Sequence, residues 1–234
     1  MYTDIHSHVI WGVDDGAETK EETFQMLHAA VEDGIGRIVC TPHVTLGVYE
    51  FPEEIFQEHF WAAQEYIAGN NLPLVLYRGA EILYTESTPC LLWEKAVATM
   101  AGTNYALIEF SPTDTKEHIM SAVQKVAGSG VIPIIAHMEC YPAIHRTEDV
   151  WEMKKRYRAL VQINARSLTR KMPLLYRRFF DQIFKQELVD FVATDTHCMP
   201  GRETCMRKGM KSLRARYGEK IAERIEKAPD VLFG

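Results

Sequence analysis

The chain has no apolar run near the roughly 18 residues that a membrane-spanning helix needs, and its first residues carry neither a basic n-region nor an apolar h-region. Both absences lead us to expect a cytoplasmic protein without membrane insertion. Ser/Gly-rich linkers, internal repeats and low-complexity tracts are also missing, so nothing divides the chain into separate units. Cysteine is sparse. Cys40, Cys90, Cys140, Cys198 and Cys205 are odd in number and form no C-x-x-C pair, which argues against a disulfide scaffold and against a thiolate zinc site. Positive charge is not in excess: a net charge of −6 and a pI near 5.9 exclude an obvious nucleic-acid or anionic-membrane surface. A phosphate-handling protein with this balance needs local cations, which bound metals can supply. What remains is ordinary for a soluble globular protein, with 47% hydrophobic and 25% charged residues in a chain of 234, ample for one large core.

Against this background the opening stretch stands out. Asp4-Ile5-His6-Ser7-His8 is followed by Gly12-Val13-Asp14-Asp15-Gly16. Side chains alternate along a strand, so His6 and His8 point the same way with Ser7 opposed, and two such imidazoles can share a metal. An isolated H-x-H is more simply a pair of solvated histidines. Here the pair has company: His43, Glu81, Glu109, His137, Asp195 and His197 each follow an apolar run.

Apolar runs alternate with helix-period segments along the whole chain. Residues 19–34 read as an amphipathic helix, with Thr19 as cap, Glu21 and Glu22 in the first turn and Phe24, Leu27 and Val31 as the apolar stripe. Strands are expected at 37–40, 72–77, 105–110, 131–136, 159–164 and 188–193, and helices at 52–69, 115–127, 149–157, 171–186, 202–217 and 219–227. Strands that are apolar throughout imply burial on both faces, and strand–helix alternation implies parallel pairing. The architecture expected is a β/α barrel of about seven units, slightly short of the usual eight.

In such a barrel the site lies at the C-terminal ends of the strands, where these polar residues fall. Histidine and carboxylate ligands without thiolates suit Mn, Fe or Zn. Nine candidate ligands exceed the about four to six that one ion takes, and suit two or three ions bridged by carboxylates. Glu109 is the hardest to read blandly, because an unpaired carboxylate within Tyr105–Phe110 would be costly. Of Asp14 and Asp15, one is expected to be a ligand and the other to hold the loop. His28, His59, His118 and His145 read as structural or solvated. Cys140 to Arg146 matches the C-x5-R loop of cysteine phosphatases, but it contains Pro142 and no glycine to let backbone N–H groups converge on a phosphate.

Taken together, Asp-Ile-His6-Ser-His8 with Asp14-Asp15-Gly16, Thr-Pro-His43, Gly-Ala-Glu81-Ile, Leu-Ile-Glu109-Phe, Ile-Ala-His137-Met-Glu and Ala-Thr-Asp195-Thr-His197 resemble the polymerase and histidinol phosphatase (PHP) family. Within it, the chain is similar to the bacterial manganese-dependent protein-tyrosine phosphatases of capsule and exopolysaccharide operons. The resemblance implies an α/β fold, a single-domain distorted (β/α)7 TIM-like barrel over residues 1–234, holding two to three divalent ions, manganese foremost and iron or zinc as alternatives. By resemblance, His6, His8, Glu81 and Asp195 hold one ion. Glu81 bridges to a second, held also by Glu109 and His137, and Asp15, His43 and His197 hold the third. Arg202 matches an arginine that binds substrate phosphate, and with Asp15, His43 and His197 forms the expected catalytic set. The implied reaction is direct attack of a metal-bridging hydroxide on phosphotyrosine. Its partner is a phosphotyrosine-bearing protein, a bacterial tyrosine autokinase controlling capsular or exopolysaccharide synthesis.

One departure stands inside the motifs. Where the family reads His-x-Glu-Arg-Tyr, this chain has His137-Met138-Glu139-Cys140-Tyr141, so a second phosphate-binding arginine is replaced; Arg146 or Arg166 is the candidate to compensate, Arg166 the one taken as substrate-binding. Two other readings are kept. One is a small-molecule PHP phosphatase of the histidinol-phosphate type. The other is a metal-loaded module that binds phosphoproteins without turnover.

Overall fold

The computed structural model describes residues 1–171 and 173–233. Strands and helices follow one another as β1 (Tyr2–Ser7), α1 (Lys20–Glu32), β2 (Ile35–Cys40), β3 (His43–Val44), α2 (Glu53–Gly69), β4 (Val75–Arg78), β5 (Glu81–Leu83), α3 (Thr88–Trp93), β6 (Tyr105–Glu109), α4 (Lys116–Gly128), β7 (Ile132–Ile135), α5 (Thr147–Tyr157), β8 (Leu160–Asn164), α6 (Leu174–Lys185), β9 (Phe191–Ala193), α7 (Met206–Tyr217) and α8 (Glu219–Lys227). Every strand pairing is parallel. One sheet runs β1-β2-β4 and the other β3-β5-β6-β7-β8-β9. β2 and β3 are two halves of one run broken at Thr41-Pro42, and β4 and β5 are two halves of another broken at Gly79-Ala80, so the strands fill seven positions. The curl closes on itself where Ser7 bridges Thr196 and the Asp195 N–H donates to the His6 carbonyl at 2.9 Å. This is a distorted seven-position β/α barrel.

Alternation along the strands sorts two cores. Ile5, Val39, Leu107, Ile134, Ala136, Phe191 and Ala193 point inward with Met100 and Leu232, while Ala106, Ile108, Ile135, Val161, Ile163 and Val192 point outward to the helices. The interior is thus filled with apolar side chains, and Leu232, with Ala228 and Phe233 packed beside it, belongs to that filling. Above this layer the inward positions turn polar: Glu109 follows Leu107 by two, and Gln162 and Asn164 follow Leu160 at the same parity.

Most expected elements recur, with shifted ends. Thr19 caps α1, its hydroxyl accepting the Glu22 N–H at 3.2 Å, but the buried face is Thr23, Met26, Leu27 and Ala30, with Phe24 and Val31 at its half-buried margins. The helix expected over 171–186 is α6, entered at Pro173; Met172 lies outside the described residues. The helix expected from 202 is α7 and starts only at Met206, because the preceding loop is committed to contacts described below. No described helix is long and apolar enough to cross a membrane.

Candidate metal centre

At the mouth of the barrel, formed by the C-terminal strand ends, nine side chains from six strand positions converge. Three overlapping groups have donor atoms within 4.8 Å of one another: His6, His8 and Glu81; His43, Glu81 and Glu109; and His8, Asp15, His43 and His197. His137 and Asp195 complete the cluster, His137 Nε2 lying 2.8 Å from Glu81 Oε1 and 3.6 Å from Glu109 Oε1, and Asp195 Oδ1 lying 3.6 Å from His6 Nε2 and 3.4 Å from His197 Nδ1. His137 and Asp195 both hold left-handed backbone, with φ of 26° and 53°, an uncommon state for residues other than glycine.

The outer ring nitrogens of three histidines are spoken for. His8 Nδ1 lies 2.7 Å from Asp14 Oδ2, and His197 Nδ1 lies 3.1 Å from the Asp195 carbonyl. His6 Nδ1 lies 3.2 Å from Gln162 Oε1. Each partner can only accept, so each Nδ1 carries a proton and Nε2 is the nitrogen turned inward. His6 Nε2 and His8 Nε2 then face each other at 3.2 Å, a contact that a proton on one of them or a cation between them can satisfy. Glu81 is fully buried; three imidazole nitrogens stand 3.0–3.2 Å from its Oε2, yet none is aimed to hydrogen-bond it. His197 Nε2 is likewise buried without a partner. Orphaned atoms of this kind are costly unless something positive sits among them. Histidine and carboxylate donors with no thiolate fit a divalent ion of the Mn, Fe or Zn type.

The electrostatics say the same. Burial works against charge on His8, but its hydrogen bond to Asp14 and its nearness to Glu81 raise its pKa to about 10. Burial also opposes ionised Glu81, yet the charge on His6 and the hydrogen bond from His137 hold it well below the usual carboxylate range. Burial, and then the Glu81 charge, push Glu109 up to about 7. Burial and the neighbouring His8 charge lower His197 to about 4. A site that draws protons onto one imidazole and strips them from the next is competing for too few positive charges.

Asp14 is the carboxylate that holds the loop. Besides serving His8, it accepts the Gly16 N–H at 2.9 Å and the His43 N–H at 3.0 Å. Burial opposes its charge, but His8 lowers its pKa to about 2. Asp15, largely exposed, turns instead toward His43 Nε2 and His197 Nε2, at 3.3 and 3.4 Å. Gly16 is required by space: a Cβ there would sit 2.2 Å from the His8 carbonyl oxygen.

The two expected phosphate contacts are differently placed. Arg202 donates through Nη2 to Asp195 Oδ2 at 2.9 Å, with 45% of its side chain exposed. Arg166 donates to the carbonyls of Gly201 and Glu203 at 2.8 and 3.1 Å, bracing the loop that carries Arg202. Arg146 lies apart and faces Glu148 at 3.6 Å, while Cys140 is exposed. His28 meets Tyr66, His59 stacks on Trp11, His118 lies edge-on to Tyr84 and His145 faces the Pro142 carbonyl, all outside the cluster. Sequence reasoning passed over Gln162, although an amide between Val161 and Ile163 breaks its strand as Glu109 breaks its own.

A family model described as capsular polysaccharide synthesis, CpsB/CapC, matches residues 2–230. The tyrosine-protein phosphatase CpsB of Streptococcus pneumoniae is 31% identical over 233 residues, covering 95% of this chain and 93% of that one. The tyrosine-protein phosphatase YwqE of Bacillus subtilis is 25% identical over 230 residues, covering 98% and 91%. A solved structure from work on YwqE of Bacillus subtilis and CpsB of Streptococcus pneumoniae, described as unique metal-dependent tyrosine phosphatases, superposes with a TM-score of 0.86 at 25% identity, covering 99% of this chain and 94% of that one. The histidinol phosphate phosphatase of Lactococcus lactis shares the fold, with a TM-score of 0.62 at 12% identity over 93% and 94% of the two chains.

Proposed function

The chain belongs to the capsular polysaccharide synthesis CpsB/CapC family, and from that premise we propose that it is a metal-dependent phosphotyrosine-protein phosphatase whose single catalytic domain spans residues 1–234. The observation that carries this reading is the convergence of three inward-turned Nε2 atoms, from His6, His8 and His197, with the orphaned Oε2 of Glu81. The ligands we assign are His6, His8, Glu81 and Asp195 for one ion, Glu81, Glu109 and His137 for a second, and Asp15, His43 and His197 for a third. Manganese is the ion proposed, since oxygen and imidazole donors suit it.

Bound there, divalent ions supply Lewis-acid charge and water activation at neutral pH. The chain's own residues supply the rest. Asp14 fixes the tautomer of His8 and the position of the loop that presents Asp15. Arg202, paired with Asp195 on one side and exposed on the other, turns its remaining donors to the phosphoryl oxygens, where transition-state charge is spread. Arg166 keeps that loop in place, and so supports phosphate binding. A tyrosine phenolate, with a pKa of about 10, leaves with little help from a proton donor, so the demand on His43 or His197 as acid is light. Cys140 is not the nucleophile in this reading, because the arginine of its C-x5-R pattern, Arg146, is turned away to Glu148.

The partner we assign is a phosphotyrosine-bearing protein in the cytoplasm, a bacterial tyrosine autokinase of capsule synthesis. The test is hydrolysis of a phosphotyrosine peptide and of histidinol phosphate by protein loaded with manganese. Turnover of the peptide that EDTA abolishes and manganese restores supports the reading. Preference for histidinol phosphate makes it a small-molecule phosphatase, and peptide binding without turnover makes it a binding module.

A further inference from the structure

Behind the cluster runs a buried chain of amides. The His137 N–H donates to Gln162 Oε1 at 2.7 Å, Gln162 Nε2 donates to Asn164 Oδ1 at 2.8 Å, and Asn164 Nδ2 donates to Asp195 Oδ2 at 2.8 Å. Amide side chains can ordinarily be turned end for end, but this chain is anchored at both ends. A backbone N–H can only donate, and an ionised carboxylate can only accept. Both amides are therefore fixed in one orientation, with Gln162 Oε1 left facing His6 Nδ1 at 3.2 Å. Gln162 is fully buried and every one of its polar atoms has a partner.

We infer that Gln162 and Asn164 are positioning residues of the metal centre: together they set which nitrogen of His6 faces the ion, clamp the left-handed backbone of His137 and aim the carboxylate of Asp195. The inference rests on the assignment of these three residues as ligands. It separates the two histidines of the first strand. His8 takes its outer partner from a carboxylate, Asp14, whereas His6 takes a neutral amide, which orients the ring while adding no negative charge. It also joins ligands from three strand positions into one hydrogen-bonded unit, so that a change at Gln162 is felt at His6, His137 and Asp195 together.

Metal-stripped wild type, Gln162→Leu and Gln162→Glu are titrated with manganese chloride by calorimetry, and the metal-free proteins are melted in parallel. Partners of this kind are worth about 10- to 100-fold in metal affinity. Gln162→Leu should weaken manganese binding on that scale. Gln162→Glu keeps an acceptor toward both His6 and His137 but loses the donor to Asn164, and should bind manganese more tightly than Gln162→Leu and less tightly than wild type. Equal affinity in wild type and a folded Gln162→Leu overturns the inference, as does a Gln162→Glu protein as weak as Gln162→Leu, which would mean that the acceptor toward His6 and His137 sets nothing. Should Gln162→Leu fail to fold, Asn164→Ala cuts the same chain at its half-buried end, and unchanged affinity there overturns the inference equally. A wild type that takes up no manganese is a different failure, that of the ligand assignment itself.

Discussion

Arg202 reaches the centre through the carboxylate of Asp195, whose Oδ2 meets the guanidinium while Oδ1 faces His6. Removing the guanidinium should therefore spare metal content and strike substrate. Arg202→Ala is expected to lower kcat/KM on a phosphotyrosine peptide by a factor on the order of 10², the scale of losing one charge-stabilising donor, with manganese stoichiometry by elemental analysis unchanged. Unchanged kinetics would show that metals alone hold the phosphate. Cys140→Ser is expected to leave turnover within a few-fold of wild type in the same assay, since the exposed thiol touches none of the orphaned atoms; a phosphocysteine trapped by mass spectrometry would overturn that. At this scale the sequence was informative wherever a charge broke an apolar run. Glu109 stood out because an unpaired carboxylate within an apolar run is expensive, and Asp195 because it follows directly on an apolar strand. Gln162 did not, because a buried amide is satisfied by ordinary hydrogen bonds and its partners outside its own strand, His6 and His137, are remote in the chain.

Between residues and fold stand the elements that place the Arg202 loop. Asp33, just past the end of α1, accepts the Thr204 hydroxyl at 2.7 Å and the N–H groups of Met206 and Arg207, so it caps the first turn of α7 from another part of the chain. This is why α7 begins at Met206 rather than at 202: residues 198–205 are held by Asp33 at one end and by Arg166 in the middle. Asp33→Ala removes the cap and should cost about 1 kcal/mol or somewhat more. For a chain of this size that lowers Tm by roughly 2–4 °C, read by calorimetry. Helical periodicity in the sequence runs through 202–217 without marking this start, because the capping residue is remote. The short strands β3 and β5 were not expected from the sequence, although Pro42 and Gly79 stand where β2 gives way to β3 and β4 to β5.

The whole molecule is a ring of strands whose polar mouth gathers five histidines and four carboxylates, with buried atoms of Glu81 and His197 that no hydrogen bond satisfies. Chelation should therefore be felt globally: EDTA treatment is expected to lower Tm by about 5–10 °C, corresponding to the roughly 2.7 kcal/mol that a ligand at a hundred times its Kd contributes. Equal melting with and without manganese would mean that the cluster binds no metal in the folded state. Seven strand–helix units, parallel pairing and a site at the strand ends were all legible in the alternation of apolar and helical segments. The seam between β1 and β9 was not, for nothing in the local pattern of either strand records its neighbour. That seam, where Ser7 meets Thr196 and His6 meets Asp195, has a consequence in time as well as in space. During synthesis the first two histidines leave the ribosome early, and the aspartate that shares their task follows only after six intervening strand–helix units. A nascent chain that ends before Asp195 thus lacks one carboxylate of the cluster, and the loop that carries Arg202 follows later still.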